Sequence, residues 1–250
     1  MSKFLKNHSL KEKAVWITGG KRIGREIAAA LSELGADLVM SYRSSEKEAL
    51  EVAKKVKKYG NKVLILKVDV SDRESTKEAV NRIKKEFGRL DALILLASVF
   101  KPVKLEKISD KDWDDNFSAH VKGTFWPIQQ SIPLMKPGSH IVTVSDRTVI
   151  NSVYPGYLPY VVTKSGVASM TKALAIELGP KGIFINALAP GPVLKPDDIS
   201  SKEWQKIRKE SLIKHPLSDE EAVQEFVDTV VRLCFVRSSG AVYPLDFGHL

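Results

Sequence analysis

Cysteine is almost absent. Cys234 stands alone in 250 residues, so no disulfide can form within the chain, and a reducing cytoplasm is the expected setting. No apolar run approaches the roughly 18 residues that a membrane-spanning helix needs. Met1 to Lys13 is polar and basic, without the apolar stretch of a secretory signal, so neither membrane nor export is expected. Linkers, repeats and low-complexity segments are missing too, which argues for a single domain over residues 1–250. No second His, Cys or carboxylate stands at ligand spacing from His120, so no metal is expected. Acidic residues are the minority: 39 Lys and Arg against 30 Asp and Glu leave a net charge of +9. That excess does not read as a nucleic-acid stripe, because Lys54, Lys55, Lys57, Lys58, Lys84 and Lys85 sit at helical spacing among glutamates, as on a solvated helix face. An anionic small molecule remains compatible with it.

What the chain does have is alternation. Short apolar runs occur at Ala14–Thr18, Leu38–Tyr42, Val63–Val68, Ala92–Leu96, His140–Val144, Ile183–Leu188 and Ala241–Tyr243. Between them apolar residues recur every three or four positions, as in Ile23, Ile27, Ala30, Leu31 and Leu34. Near-continuous apolar strands imply burial on both faces. The expected fold is therefore α/β: a Rossmann-type, doubly wound parallel sheet of about seven strands with helices on both faces. Pro127 and Pro133 predict a kink or an early end in the helix that begins near Trp113. The stretch 190–216 holds four prolines and a helix-start signal at Asp197 to Ser201 before Trp204 and Ile207. An insertion there would form a lid over the carboxyl ends of the strands, where open α/β sheets bind ligands.

Thr18-Gly19-Gly20-Lys21-Arg22-Ile23-Gly24 follows the first strand and opens the first helix. Glycines at such a turn let backbone approach a pyrophosphate, which sits on exposed N–H groups at the positive end of the helix. The second strand ends in Tyr42-Arg43-Ser44-Ser45, with no acid to hold a ribose 2′-hydroxyl. Arg43 and Ser44, with Lys21 and Arg22, suit a 2′-phosphate instead, so NADP(H) is the expected cofactor. Asp69 either bonds an adenine amino group or caps the helix starting near Ser71. Tyr160 and Lys164 lie one helical turn apart on the same face, and an ammonium that close is expected to lower the phenol pKa and create a general acid.

Taken together, Thr18-Gly19…Gly24, Asp69, Ala97, Tyr160-x-x-x-Lys164, Asn186 and Pro190-Gly191 resemble the short-chain dehydrogenase/reductase family in order and spacing over nearly the whole chain. The resemblance implies that Tyr160 donates a proton, that Lys164 binds the nicotinamide ribose and tunes Tyr160, and that Pro190-Gly191 lies against the nicotinamide. It also implies pairing into dimers or tetramers through the helices around Trp113–Met135 and Tyr157–Leu178, where Phe117, Val121 and Phe125 form an apolar face. The departures narrow the reading. Asp146 falls where the family's catalytic serine is usual, one residue out of register and next to Ser145; His120 replaces an asparagine; the Gly-rich turn is one residue short; and Leu95-Leu96-Ala97-Ser98 replaces Asn-Asn-Ala-Gly. Arg22, Arg43-Ser44, Ala97-Ser98-Val99-Phe100 and Asp146 resemble the pteridine and dihydromonapterin reductase branch, the latter also at His120.

That resemblance implies a flat pterin held between Phe100 and the nicotinamide, with Ser98 on its polar edge and Asp146 relaying a proton through Tyr160. Two further readings stand beside NADPH-dependent reduction of a dihydropterin C=N bond. One is a short-chain reductase of a carbonyl substrate such as a 3-oxoacyl thioester, with Ser145 in the serine's role. The other is a non-catalytic, nucleotide-binding scaffold, suggested by Leu95-Leu96 and the shortened turn.

Overall fold

β1 (Ala14–Thr18) is buried along its whole length. A strand with one solvated face cannot be, so β1 must lie inside a sheet covered on both sides. The computed structural model describes residues 8–19, 23–150, 153–195, 199–212 and 217–248. Around β1 stand β2 (Asp37–Tyr42), β3 (Val63–Lys67), β4 (Ala92–Leu95), β5 (His140–Val144), β6 (Phe184–Pro190) and β7 (Val242–Leu245). All pair in parallel, in the order β3-β2-β1-β4-β5-β6-β7. The helices are α1 (Ile23–Glu33), α2 (Glu46–Val56), α3 (Arg73–Phe87), α4 (Asp110–Asn116), α5 (Gly123–Ser131), α6 (Leu158–Leu178), α7 (Ser201–Lys209) and α8 (Asp219–Leu233).

Alternation along β1 divides the core in two. Val15 and Ile17 pack with Ile27 and Leu31 of α1 and Phe226 and Val230 of α8. Trp16 packs on the other face with Ile83 of α3, Ile128 of α5 and Leu178 of α6. Each fully buried aliphatic side chain contributes about 1.5–3 kcal/mol. Inside this core the Trp16 indole N–H donates to Ser41 Oγ at 3.0 Å, so its polar atom is satisfied. The strand order reverses between β1 and β4, which opens a crevice at their carboxyl ends.

One strand runs past its expected end and one helix is disturbed as its prolines predict, each for an identifiable reason. β6 does not stop at Leu188; it runs to Pro190 because β7 continues beside it, with Ala189 opposite Pro244 and Pro190 opposite Leu245. Ending the strand on proline costs little, since the missing N–H falls at the last position. The helix carrying Pro127 is distorted one turn before the proline. Phe117–Lys122 widens into a π-helix between α4 and α5, and α5 ends at Ser131 before Pro133. Pro127 has no N–H for the Gly123 carbonyl and its ring crowds that group. The wider turn, of a kind found mostly as a single bulge, carries His120 into the interior.

In the stretch expected to form a lid, the described residues Pro192, Val193, Leu194, Ile199, Trp204, Ile207 and Glu210 line the cleft. Ser200 caps α7, accepting from the Glu203 N–H while the Glu203 carboxylate accepts from the Ser200 N–H. Pro196, Asp197, Asp198 and Pro216 lie outside the described residues. Arg208 on α7 is 7% exposed and holds the segment at both ends. It donates to the Pro192 carbonyl at 2.9 Å and to the Leu217 and Ser218 carbonyls, and its Nε lies 3.6 Å from Asp219. The carboxyl-terminal segment is fastened to the same piece: Ser211 Oγ donates to Phe247 O, Leu212 N to Gly248 O, and Gly191 N to Leu245 O. Phe247 itself is buried in the α1/α8 core at a φ of 55°.

Replacing Arg208 with Met is expected to lower stability by about 2–4 kcal/mol, because it leaves carbonyls from both flanks without their charged donor. Urea unfolding checks this; a midpoint within error of the parent would show that the guanidinium does not brace the segment.

Candidate active site

Tyr160 lies in the first turn of α6, where Pro159 near the helix start needs no donor partner. The helix buries one side of this turn, leaving Tyr160 7% exposed and Lys164 3%. Across from it, β5 ends at Val144 and the chain turns through Ser145 and Asp146 into a short 3₁₀ turn, Arg147–Val149. Asp146 caps that turn: its Oδ1 accepts from Thr148 N at 2.9 Å. The same rotamer sends Oδ2 to Tyr160, whose hydroxyl donates to it at 2.8 Å. Ser145 points away, donating to the Lys164 carbonyl at 2.9 Å. Of the two neighbours, the carboxylate and not the hydroxyl meets the phenol.

One electrostatic expectation is reversed. Lys164 was expected to lower the Tyr160 pKa; instead burial, and then the Asp146 carboxylate, raise it well above the ordinary phenol value. The ammonium is not on the hydroxyl: Lys164 Nζ donates to the Val144 carbonyl at 2.8 Å and lies 5.7 Å from the Tyr160 ring centre. Burial lowers Lys164 itself to about 8, with Asp146 partly offsetting the loss of hydration. Tyr160 is thus a firmly protonated donor in this state.

His120 is fully enclosed. Its Nε2 accepts from Val99 N at 3.2 Å, so the proton sits on Nδ1, which donates to Thr163 Oγ1 at 2.8 Å. Ser98 Oγ lies 2.9 Å from the same Nε2. Burial, followed by repulsion from Lys164, pushes the imidazole pKa down to about 3, so the ring stays neutral and packs edge-on against Tyr160. Among the described residues no group of His, Cys, Asp and Glu could hold a metal.

A cleft of about 970 Å³ runs across the carboxyl ends of the strands. Gly19, Ile23, Arg43, Ser44, Asp69, Ala97, Pro190 and Gly191 line it, as do Ser98, Phe100, Asp146 and Tyr160. Lys164 and Gly24 stand behind this wall, and Lys21 and Arg22 lie outside the described residues. Gly19 has a φ of +72°, and a Cβ there would come 2.9 Å from Ala97 N, so only glycine lets β1 end so close to the β4 exit. Gly191 is constrained from another side, since a Cβ would meet the Asp246 carbonyl at 2.7 Å. Asp69 neither caps a helix nor stands free; it accepts from Ser71 N and Oγ, while Asp72 caps α3. Despite burial, those bonds and the nearby Arg43 hold the Asp69 carboxyl below its ordinary value. The acid nearest the end of β2 in the chain, Glu46, is occupied by the Tyr42 hydroxyl at 2.8 Å and is not on the cleft wall. The residues present fit a nicotinamide dinucleotide: a turn at Gly19 that admits close backbone approach, a cation and a hydroxyl at Arg43 and Ser44 beyond the end of β2, with Asp69 held by Ser71 beside them, and a cleft that continues to Tyr160.

Sequence reading missed part of the wall. Tyr154 and Tyr157 join Phe100 and Tyr160 in one aromatic group. Phe100 stacks on Tyr157 at 4.4 Å and 18°, and meets Tyr160 edge-on at 4.8 Å. Phe100 is therefore no core residue; it is 40% exposed. The signal was available: three tyrosines stand at intervals of three just before Lys164.

The comparisons agree with this geometry. Residues 19–246 match the family model described as enoyl-(acyl carrier protein) reductase. The 3-oxoacyl-[acyl-carrier-protein] reductase FabG of Staphylococcus aureus is 30% identical over 92% of this chain and 93% of its own. An oxidoreductase of Escherichia coli, YghA, is 33% identical over 78% of this chain and 67% of its own. Among solved structures, a short-chain dehydrogenase/reductase from Serratia marcescens is 29% identical with a TM-score of 0.86, covering 97% of this chain and 99% of that one. A short-chain dehydrogenase from Burkholderia cenocepacia, in complex with NADP, is 26% identical with a TM-score of 0.87 and the same coverage. On the sheet order, the cleft and these matches, the chain belongs to the short-chain dehydrogenase/reductase family of nicotinamide-nucleotide-dependent oxidoreductases.

Proposed function

We propose that the protein is an NADPH-dependent reductase of a dihydropterin C=N bond. The observation that carries this reading is the 2.8 Å hydrogen bond from the Tyr160 hydroxyl to Asp146, with Ser145 turned onto a backbone carbonyl. A serine hydroxyl supports a carbonyl oxygen; a carboxyl group can also take up and return a proton, which a ring nitrogen requires. Bound in the cleft, the reduced nicotinamide supplies the hydride. Tyr160 holds the proton at its hydroxyl, and Asp146 fixes the direction of that proton. Phe100 is covered on one side by Tyr157 and offers the rest of its ring to a flat bicycle. Ser98, oriented by His120, stands within reach of a polar ring edge. Arg43 and Ser44 at the other end favour a 2′-phosphate over a bare ribose.

The scaffold reading gains nothing from this site. Burying an ammonium, a carboxylate and a phenol together without chemical use would only cost stability. The carbonyl reading is favoured by the match to the 3-oxoacyl reductase of S. aureus. Pairing of copies through the face containing Phe117, which is exposed, and Val121 and Phe125, which are half-buried, belongs to the same proposal.

Purified protein is expected to oxidise NADPH with dihydrobiopterin, dihydromonapterin or dihydrofolate, and to do so far more slowly with NADH. Absence of turnover with all three, alongside reduction of a 3-oxoacyl thioester, would reject the pterin assignment in favour of the carbonyl one.

A further inference from the structure

We infer that the substrate carries an anionic group beyond its reacting ring, and that Arg147 receives it. The inference rests on the proposed reduction for the ring and on separate observations for the charge. Arg147 follows Asp146 directly and lines the same cleft as Phe100 and Tyr157. Its backbone is fixed by the 3₁₀ turn, in which Thr148 N donates to Asp146 Oδ1 and Val149 N to Asp146 O. Its guanidinium carbon lies 5.4 Å from the Tyr154 ring centre. Tyr154 in turn is tied through its hydroxyl to Asp146 Oδ1 at 3.4 Å and meets Tyr157 edge-on at 5.1 Å. A half-buried cation is thus laid against the aromatic wall on which a flat ring would rest.

The distribution of charge along the cleft gives this cation its meaning. Arg43 and Asp69 belong to the far end, at the exits of β2 and β3. At the Tyr160 end the charged side chains among the described lining residues are Asp146, Arg147 and Glu210. Asp146 is engaged by Tyr160, Thr148 and Tyr154. Glu210 is exposed at the end of α7 and repels an anion from that side. Among the described lining residues at this end, the berth that favours an anionic tail is therefore at Arg147. A guanidinium presents parallel donors that match a carboxylate or a phosphate, and stacking on a ring restricts its plane before the ligand arrives.

The test compares Arg147→Met and Arg147→Lys with the parent on three dihydropterins: dihydrobiopterin, with a neutral side chain; dihydrofolate, with carboxylates; and dihydroneopterin monophosphate. Loss of charge-assisted bonds predicts that Arg147→Met raises KM for an anionic substrate about 10–100-fold more than for dihydrobiopterin. Arg147→Lys should recover part of that difference. Whether the carboxylate or the phosphate substrate suffers most identifies the tail. Equal changes across all three substrates, or none, would overturn the inference while leaving the pterin reading intact. If no dihydropterin is reduced, the pterin reading has failed on its own, and the same variants are compared on acetoacetate and its neutral ethyl ester. A KM rise confined to the anion then supports Arg147 as the berth, and equal KM changes dispose of it.

Discussion

Asp146→Asn is expected to lower kcat for a dihydropterin by about 10²–10³-fold, within the range that positioned acid–base groups contribute. The reason is a count of acceptors. Asp146 now offers one oxygen to Thr148 N and the other to the Tyr160 hydroxyl. Asparagine has a single carbonyl oxygen. If it keeps the Thr148 bond that closes the 3₁₀ turn, its NH₂ faces Tyr160, and the phenol can no longer donate there. The pH profile should move as well. The carboxylate's negative charge disfavours tyrosinate and, after burial, is what holds the Tyr160 pKa up. Without it the phenol ionises at lower pH, so the alkaline fall in rate should begin earlier in the variant. Steady-state rates across pH check both effects; a kcat within a few-fold of the parent would mean that the carboxylate takes no part in proton delivery.

Tyr160→Phe should be more damaging, with kcat/KM down by about 10³–10⁴-fold. It removes the hydroxyl that donates to Asp146 Oδ2 while leaving the ring contacts with Phe100 and His120 in place. On the proposed reading Arg43 and Ser44 at the other end of the cleft hold the 2′-phosphate, so NADPH affinity, followed by fluorescence titration, should change by only a few-fold. A loss of merely tenfold would place the proton donor elsewhere, with Tyr154 the nearest other phenol on Asp146.

Much of this arrangement was legible before any coordinates. Unbroken apolar runs such as Ala14–Thr18 carry their own burial, and the spacing of Tyr160 and Lys164 carries their shared helix face. Asp146 was legible as a candidate, but its one-residue offset left Ser145 in contention. Only the cap on Thr148 resolves that, because the turn dictates which side chain points inward. The sign of the Tyr160 shift was not legible at all. It depends on how far water is excluded and on where Lys164 Nζ finds its acceptor, and both are properties of packing. The π-helix was equally hidden: Pro127 announces a disturbance, yet its position one turn upstream depends on how α4 and α5 fit against α6.

The bonds that tie Ser211 and Leu212 to Phe247 and Gly248 have a mechanical consequence. They join the stretch that follows α7 to residues 247–248, and Phe247 anchors both in the interior. Any movement of Ser211 and Leu212 away from their present place must either carry Phe247 and Gly248 along or break those bonds, so residues 247–248 share in whatever the cleft wall does.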